Sequence, residues 1–215
     1  MKERRRPPPI GCMLWPAGRA MLQWMLMDAC IPAHSTLVEI GAGCGCTAIG
    51  LALARPDIQI IATDSCRESL ENLRYNVQRN NAKNVQVVEW DVSDSAPPPF
   101  DLAKVSVVLA ADVVYHTGAH GMVSLMQNLL QRKPDLRINL LLVDRFSGGA
   151  VAGVSGVAGV QGGYQIRPPG SMEPYAPLDP MIGQFEADCA KAGLALTHME
   201  WPPATRNSVT STQDW

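Results

Sequence analysis

The sequence predicts a doubly wound α/β domain, Rossmann-like, with a mostly parallel sheet. Three observations carry this. Short apolar runs alternate along the chain with segments of helical spacing, which calls for parallel strands joined by right-handed crossovers. The first of these runs ends directly in a glycine-rich turn, 41–45. The second ends in a carboxylate, Asp64. In such sheets ligands bind outside the carboxyl ends of the strands, where the strand order reverses.

The elements follow in order. Residues 36–40 (TLVEI) read as a strand and 47–54 (TAIGLALA) as a helix stopped at Arg55-Pro56. Residues 58–63 (IQIIAT) form a second strand, and 66–80 a helix carrying Leu70, Leu73, Tyr75 and Val77. A third strand spans 85–90 (VQVVEW), before the break at Pro97-Pro98-Pro99. The run 105–111 (VSVVLAA) is apolar throughout, as expected of a strand covered on both faces. Met122, Leu125, Met126, Leu129 and Leu130 stand at helical spacing. Residues 138–143 (INLLLV) give a fifth strand, 182–192 a helix and 194–199 a sixth strand, while 208–215 makes a poor seventh. Between the fifth strand and the last helix, 147–181 reads as a long insertion of Gly, Val, Ser, Ala and Pro with little regular pattern.

Composition narrows the function classes. The chain has 215 residues, 47% hydrophobic and 18% charged, with a net charge of -2. It is neither disordered nor a coiled coil, and no basic stripe suggests a nucleic acid partner. No apolar run of membrane-spanning length occurs, and no signal-like apolar segment follows the basic, proline-rich start. Lys2, Arg4, Arg5 and Arg6 read as a solvated terminus or a short nuclear signal. The six cysteines show no zinc-like spacing, so a reduced, cytoplasmic, metal-free protein is expected. His116 and His120 lack an obvious third ligand, and Cys44 and Cys46 read as small apolar fillers.

The turn Gly41-Ala42-Gly43-Cys44-Gly45 lets a ligand approach the backbone at a helix start. Asp64 can accept hydrogen bonds from a ribose diol. Together they point to a nucleoside cofactor. The dinucleotide pattern G-x-G-x-x-G would need glycine where Cys46 stands. S-adenosylmethionine has no pyrophosphate to cradle, and the G-x-G-x-G pattern favours it over NAD.

The segment Val38-Glu39-Ile40-Gly41-Ala42-Gly43-Cys44-Gly45 resembles motif I of the class I, seven-strand methyltransferases. Leu14-Trp15-Pro16-Ala17-Gly18, Trp90 and Asp112-Val113-Val114-Tyr115 are similar, in order and spacing, to the protein-lysine methyltransferases of methyltransferase family 16. The resemblance covers about 12–145. It implies a single domain with a seven-strand sheet at 35–215, preceded by a segment, 1–34, whose tryptophan-proline element covers the cofactor. It also implies S-adenosylmethionine contacts at Trp15, Gly41, Ala42, Gly43, Asp64, Trp90 and Ala111. Asp112 and Tyr115 become the substrate-side pair that directs an amine toward the methyl group. The expected substrate is a protein bearing a target lysine, and a monomer is favoured.

Structural readings compete at several of these positions. Trp90 suits a core aromatic, Trp15 the packing of the N-terminal segment, and Asp64 a turn or helix cap. Asp112 and Tyr115 suit a cap and a core tyrosine. Glu39 is either a partner for the methionine amine or packing behind the glycine turn. Other functions also compete: N-methylation of a small amine, a non-catalytic cofactor-binding module, and an NAD-linked oxidoreductase.

Overall fold

The structure is a computed structural model that describes residues 9–27, 31–93, 96–144, 150–157, 160–165 and 180–200; within these, the side chains of 115–117, 143–144, 150–157, 160–165 and 197–200 are not described. After a single 3-10 turn, Ile10–Cys12, the elements run α1 (Pro16–Met27), β1 (Thr36–Ile40), α2 (Cys46–Ala54), β2 (Gln59–Asp64) and α3 (Arg67–Arg79). They continue with β3 (Val85–Glu89), a second 3-10 turn, β4 (Val105–Ala111), α4 (Val114–Arg132) and β5 (Arg137–Asp144). β6 (Ala150–Val157), β7 (Val160–Gln165), α5 (Pro180–Lys191) and β8 (Thr197–Glu200) complete the described residues.

The sheet order is β3-β2-β1-β4-β5-β6-β7-β8. The first five strands pair in parallel throughout. β6 then runs antiparallel to β5, and β7 antiparallel to β6. The α/β fold and its parallel sheet are as expected, but the seven-strand expectation is not met. Among the described residues the parallel body has five strands, and three further strands extend its β5 edge.

Strand alternation divides the core into two layers. Leu37, Ile60, Val107 and Leu141 face one side, against α1, α2 and α3. Val38, Ile61, Val108, Leu140 and Leu142 face the other, against α4 and α5. Both faces of β1 and β4 are covered, which explains their unbroken apolar runs.

Two elements differ from expectation. α1 is not among the expected elements, although Ala17, Ala20, Met21, Trp24 and Met25 are buried at helical spacing along it. Pro16 opens that helix, where a missing N–H costs nothing. Within 147–181, the described residues form β6, β7 and the start of α5 rather than an irregular loop. Their Val-Gly-Ser-Ala composition lowers strand propensity and hides the pairing from a periodicity reading. The segment 208–215 lies outside the described residues.

Candidate cofactor site

The strand order reverses at β1, whose neighbours β2 and β4 lead to opposite edges of the sheet. At the carboxyl ends of these strands lies a cleft of about 610 Å³, within the range of a small-ligand pocket.

The glycine loop after β1 forms its floor. Gly41 (φ 64°) and Gly43 (φ 54°) are left-handed, a conformation that disfavours side chains. A Cβ at Gly41 would sit 2.5 Å from Val113 Cγ1, and one at Gly43 would sit 2.7 Å from the Gly11 carbonyl oxygen. The loop is therefore wedged between the segment after β4 and the N-terminal strap, residues 9–15. Ala42 N–H donates to the Thr63 carbonyl (2.8 Å), and Asn76 Nδ2 donates to the Cys44 carbonyl (2.8 Å).

Asp64, at the end of β2, braces this loop. Its Oδ2 accepts from Gly43 N–H (3.0 Å) and its Oδ1 from Cys66 N–H (2.9 Å). The expected turn-capping role is thus present. Each oxygen keeps a second lone pair, so a ribose hydroxyl can still be accepted.

Glu39 lies beneath the loop and is 3% exposed. Its Oε2 accepts from Ala48 N–H (2.9 Å) in the first turn of α2. Burial pushes its carboxyl up to about 7, against the Thr47 and Ala48 hydrogen bonds that pull it down. One amide at the start of α2 is therefore used by the protein itself rather than left for a phosphate. The cleft is lined by three acidic residues, Glu39, Asp64 and Asp112, and by no Lys or Arg among the described residues. That electrostatic character disfavours a pyrophosphate and suits a ligand carrying positive charge.

Trp90 follows β3 and packs edge-on against Phe100, with ring centroids 5.2 Å apart and planes at 89°. Its backbone N–H donates to the Asp64 carbonyl (3.0 Å). Its indole Nε1 is buried with no partner among the described residues. Trp15 is 43% exposed at the cleft edge, and its Nε1 donates to the Ile10 carbonyl (2.8 Å), which folds the strap on itself.

All seven residues expected at the cofactor line this one cleft: Trp15 from the strap, Gly41, Ala42 and Gly43 from the loop, then Asp64, Trp90 and Ala111. Asp112 joins them. It is left-handed (φ 56°) and donates its N–H to the Leu141 carbonyl (2.7 Å). Aspartate tolerates that conformation better than most residues, and strained backbone clusters at functional sites. Tyr115 falls in the first turn of α4, and its side chain lies outside the described residues. The sequence reading missed Gly11, Cys66 and Ser69, which also line the cleft. Cys44 and Cys46 are half-buried there, and burial raises both thiols, Cys46 to about 11. Both are protonated at neutral pH, as fillers rather than nucleophiles.

A parallel sheet, a glycine loop after β1 and an acid at the end of β2 make a nucleoside-binding α/β domain, an arrangement that class I methyltransferases, the class that uses S-adenosylmethionine, share. The residues present fit that cofactor. The Trp90 indole, buried with no partner among the described residues, belongs to a residue that lines the cleft, and the glycine loop leaves its backbone open to close approach. The chain belongs to methyltransferase family 16, the lysine methyltransferases, whose profile matches residues 1–145.

Similarity to individual proteins is lower. An uncharacterized Dictyostelium discoideum protein is 23% identical over 151 residues, covering 57% of this chain and 42% of that one. Mouse protein-lysine N-methyltransferase EEF2KMT is 26% identical over 117 residues, covering 49% and 35%. The matched part thus spans less than half the length of these curated relatives. The CcbJ methyltransferase of Streptomyces caelestis superposes with a TM-score of 0.50 at 16% identity, over 69% of this chain and 68% of that one; the likeness is one of fold.

Proposed function

We propose that this protein transfers a methyl group from S-adenosylmethionine to the ε-amine of a lysine in a protein substrate. One observation carries the reading: Asp112, held left-handed at the end of β4, lines the same cleft as the glycine loop and Asp64. An acceptor carboxylate and the cofactor floor therefore share one pocket. The lysine family and the mouse relative, itself named a protein-lysine N-methyltransferase, support the substrate class.

When bound, the cofactor supplies an electrophilic methyl group on a positively charged sulfur. The chain supplies position. Asp64 and the backbone of Gly43 hold the nucleoside side, and Trp90 offers an aromatic surface and a free indole donor to the adenine. Trp15 covers the cleft from the strap. An attacking amine must be neutral and about 3 Å from the methyl carbon, whereas a free lysine ionises near ~10.4. Asp112 accepts the amine hydrogens, aims the nitrogen lone pair and passes the lost proton to water. Tyr115, a turn of helix further on, shares that task. Orientation of this kind lowers a barrier by roughly 7–11 kcal/mol.

The test is transfer of tritiated methyl from labelled S-adenosylmethionine into cell lysate, resolved by gel and followed by amino-acid hydrolysis. Labelled methyllysine in a protein band is expected. Label confined to small molecules overturns the protein-lysine reading in favour of a small amine. Cofactor binding without any transfer leaves a binding module.

A further inference from the structure

We propose that the strap is the docking surface for the substrate protein and takes an apolar side chain close to the target lysine, an inference that rests on the methyl-transfer reading above. Ile10, Met13, Leu14 and Trp15 are 57%, 50%, 55% and 43% exposed. They are half of the large apolar side chains that stand exposed among the described residues. Exposure scattered along a surface needs no explanation, but four such side chains within six residues mark an interaction site. Ile10, Met13 and Trp15 also line the cleft, whereas Leu14, between two of them, does not. A cofactor filling the cleft therefore leaves Leu14 uncovered at its rim.

The surroundings say what covers it. Residues 9–18 carry no charged side chain. The cleft they border carries Glu39, Asp64 and Asp112, and no Lys or Arg among the described residues. A cation is drawn inward and an apolar neighbour is favoured at the rim. A lysine beside an apolar residue meets both demands. An acidic neighbour would be repelled by the cleft and would find no cation on the strap. The reach agrees: an extended peptide advances about 3.3–3.6 Å per residue, so side chains within three residues of a lysine in the cleft span roughly 10 Å of rim. The strap is also held in place before any partner arrives. Trp15 Nε1 donates to the Ile10 carbonyl (2.8 Å), Cys12 N–H to the Pro9 carbonyl (2.9 Å) and Cys12 Sγ to the Glu68 carbonyl (3.7 Å). An ordered apolar surface loses little freedom on binding and so makes a good anchor.

The test uses capped heptapeptides of serine with a central lysine, in which one flanking position at a time is Leu, Phe or Asp. Tritiated methyl transfer to each is measured beside transfer into cell lysate. With the unaltered protein, Leu or Phe at one or more positions should raise kcat/KM roughly tenfold over Ser, and Asp should not. Leu14→Ser should erase that preference and Leu14→Met should keep it. Calorimetric affinity for S-adenosylhomocysteine should be equal in all three proteins, because Leu14 stands outside the cleft. A flat response to the flanking residue, or a preference that survives Leu14→Ser, overturns the assignment. So does a parallel loss of S-adenosylhomocysteine affinity, which would move Leu14 to the cofactor side. Lysate proteins labelled while every peptide stays unlabelled would place recognition further than three residues away and also overturn it. A dimer in sedimentation that Leu14→Ser dissociates would give the surface to a second copy of this chain instead. Absence of methyllysine from peptides and lysate alike, with S-adenosylhomocysteine bound, sinks the protein-lysine reading itself, a separate outcome from failure of the strap.

Discussion

Glu39 and Asp112 are two carboxyl groups in one cleft with opposite demands on the protein. Burial raises the Glu39 carboxyl from its ordinary 4.5 to about 7. The folded state therefore holds the proton more tightly than the unfolded chain does. Glu39 contributes most to stability below pH 4.5, and that contribution drains away as the pH climbs to about 7. Glu39→Gln keeps an acceptor for Ala48 N–H but cannot ionise. Urea unfolding should show the variant gaining on the unaltered protein by roughly 1–3 kcal/mol between pH 4.5 and pH 8. Parallel pH profiles for the two proteins would contradict this. Asp112 is exposed to the opposite kind of test. Asparagine also tolerates its left-handed backbone, so Asp112→Asn should fold and bind cofactor normally. Methyl transfer should fall by roughly a hundredfold or more, measured as initial rate against calorimetric affinity. A loss of cofactor affinity instead would move Asp112 to the cofactor side.

The strap and the glycine loop meet at Gly11 and Gly43, main chain against main chain. Gly43→Ala would place a methyl carbon 2.7 Å from the Gly11 carbonyl oxygen, on a residue already at φ 54°. The left-handed strain costs about 1–2 kcal/mol. The collision cannot be relieved by a side-chain rotation, because its partner is main chain. The strap should lift, seen as proteolysis near residues 9–15, and cofactor affinity should drop with it. An intact strap with unchanged affinity would show that strap and loop are not coupled. Which elements the sequence revealed follows from their physics. β1, β2, β4 and β5 are apolar runs bounded by turns, and α3 is amphipathic with clear ends. α1 carries the same kind of buried stripe, but its first residues coincide with the tryptophan-proline motif, which masks the helix. β6 and β7 were hidden because their residues are small. Small residues write no period of two, and glycine lowers the strand signal further.

Across the whole molecule, the site was more legible than the sheet that presents it. Cofactor-side positions are fixed by local rules, a glycine after one strand and an acid after the next, and these survive in the sequence as motifs. The topology makes a spatial prediction from this. Every proposed cofactor contact lies in the strap, the glycine loop or the carboxyl ends of β2, β3 and β4, while β6, β7 and β8 sit at the far side of β5. Saturating S-adenosylhomocysteine at about 100 times Kd stabilises the folded state by about 2.7 kcal/mol through mass action. If the cleft is the binding site, added hydrogen-exchange protection should concentrate at 9–15, 41–48, 64–70, 90–92 and 111–113. β1 and β4, buried on both faces, should be slow with or without ligand. Protection centred on β6 to β8 would put the ligand elsewhere. Uniform protection would reduce its effect to global stabilisation, with no local closure of the strap.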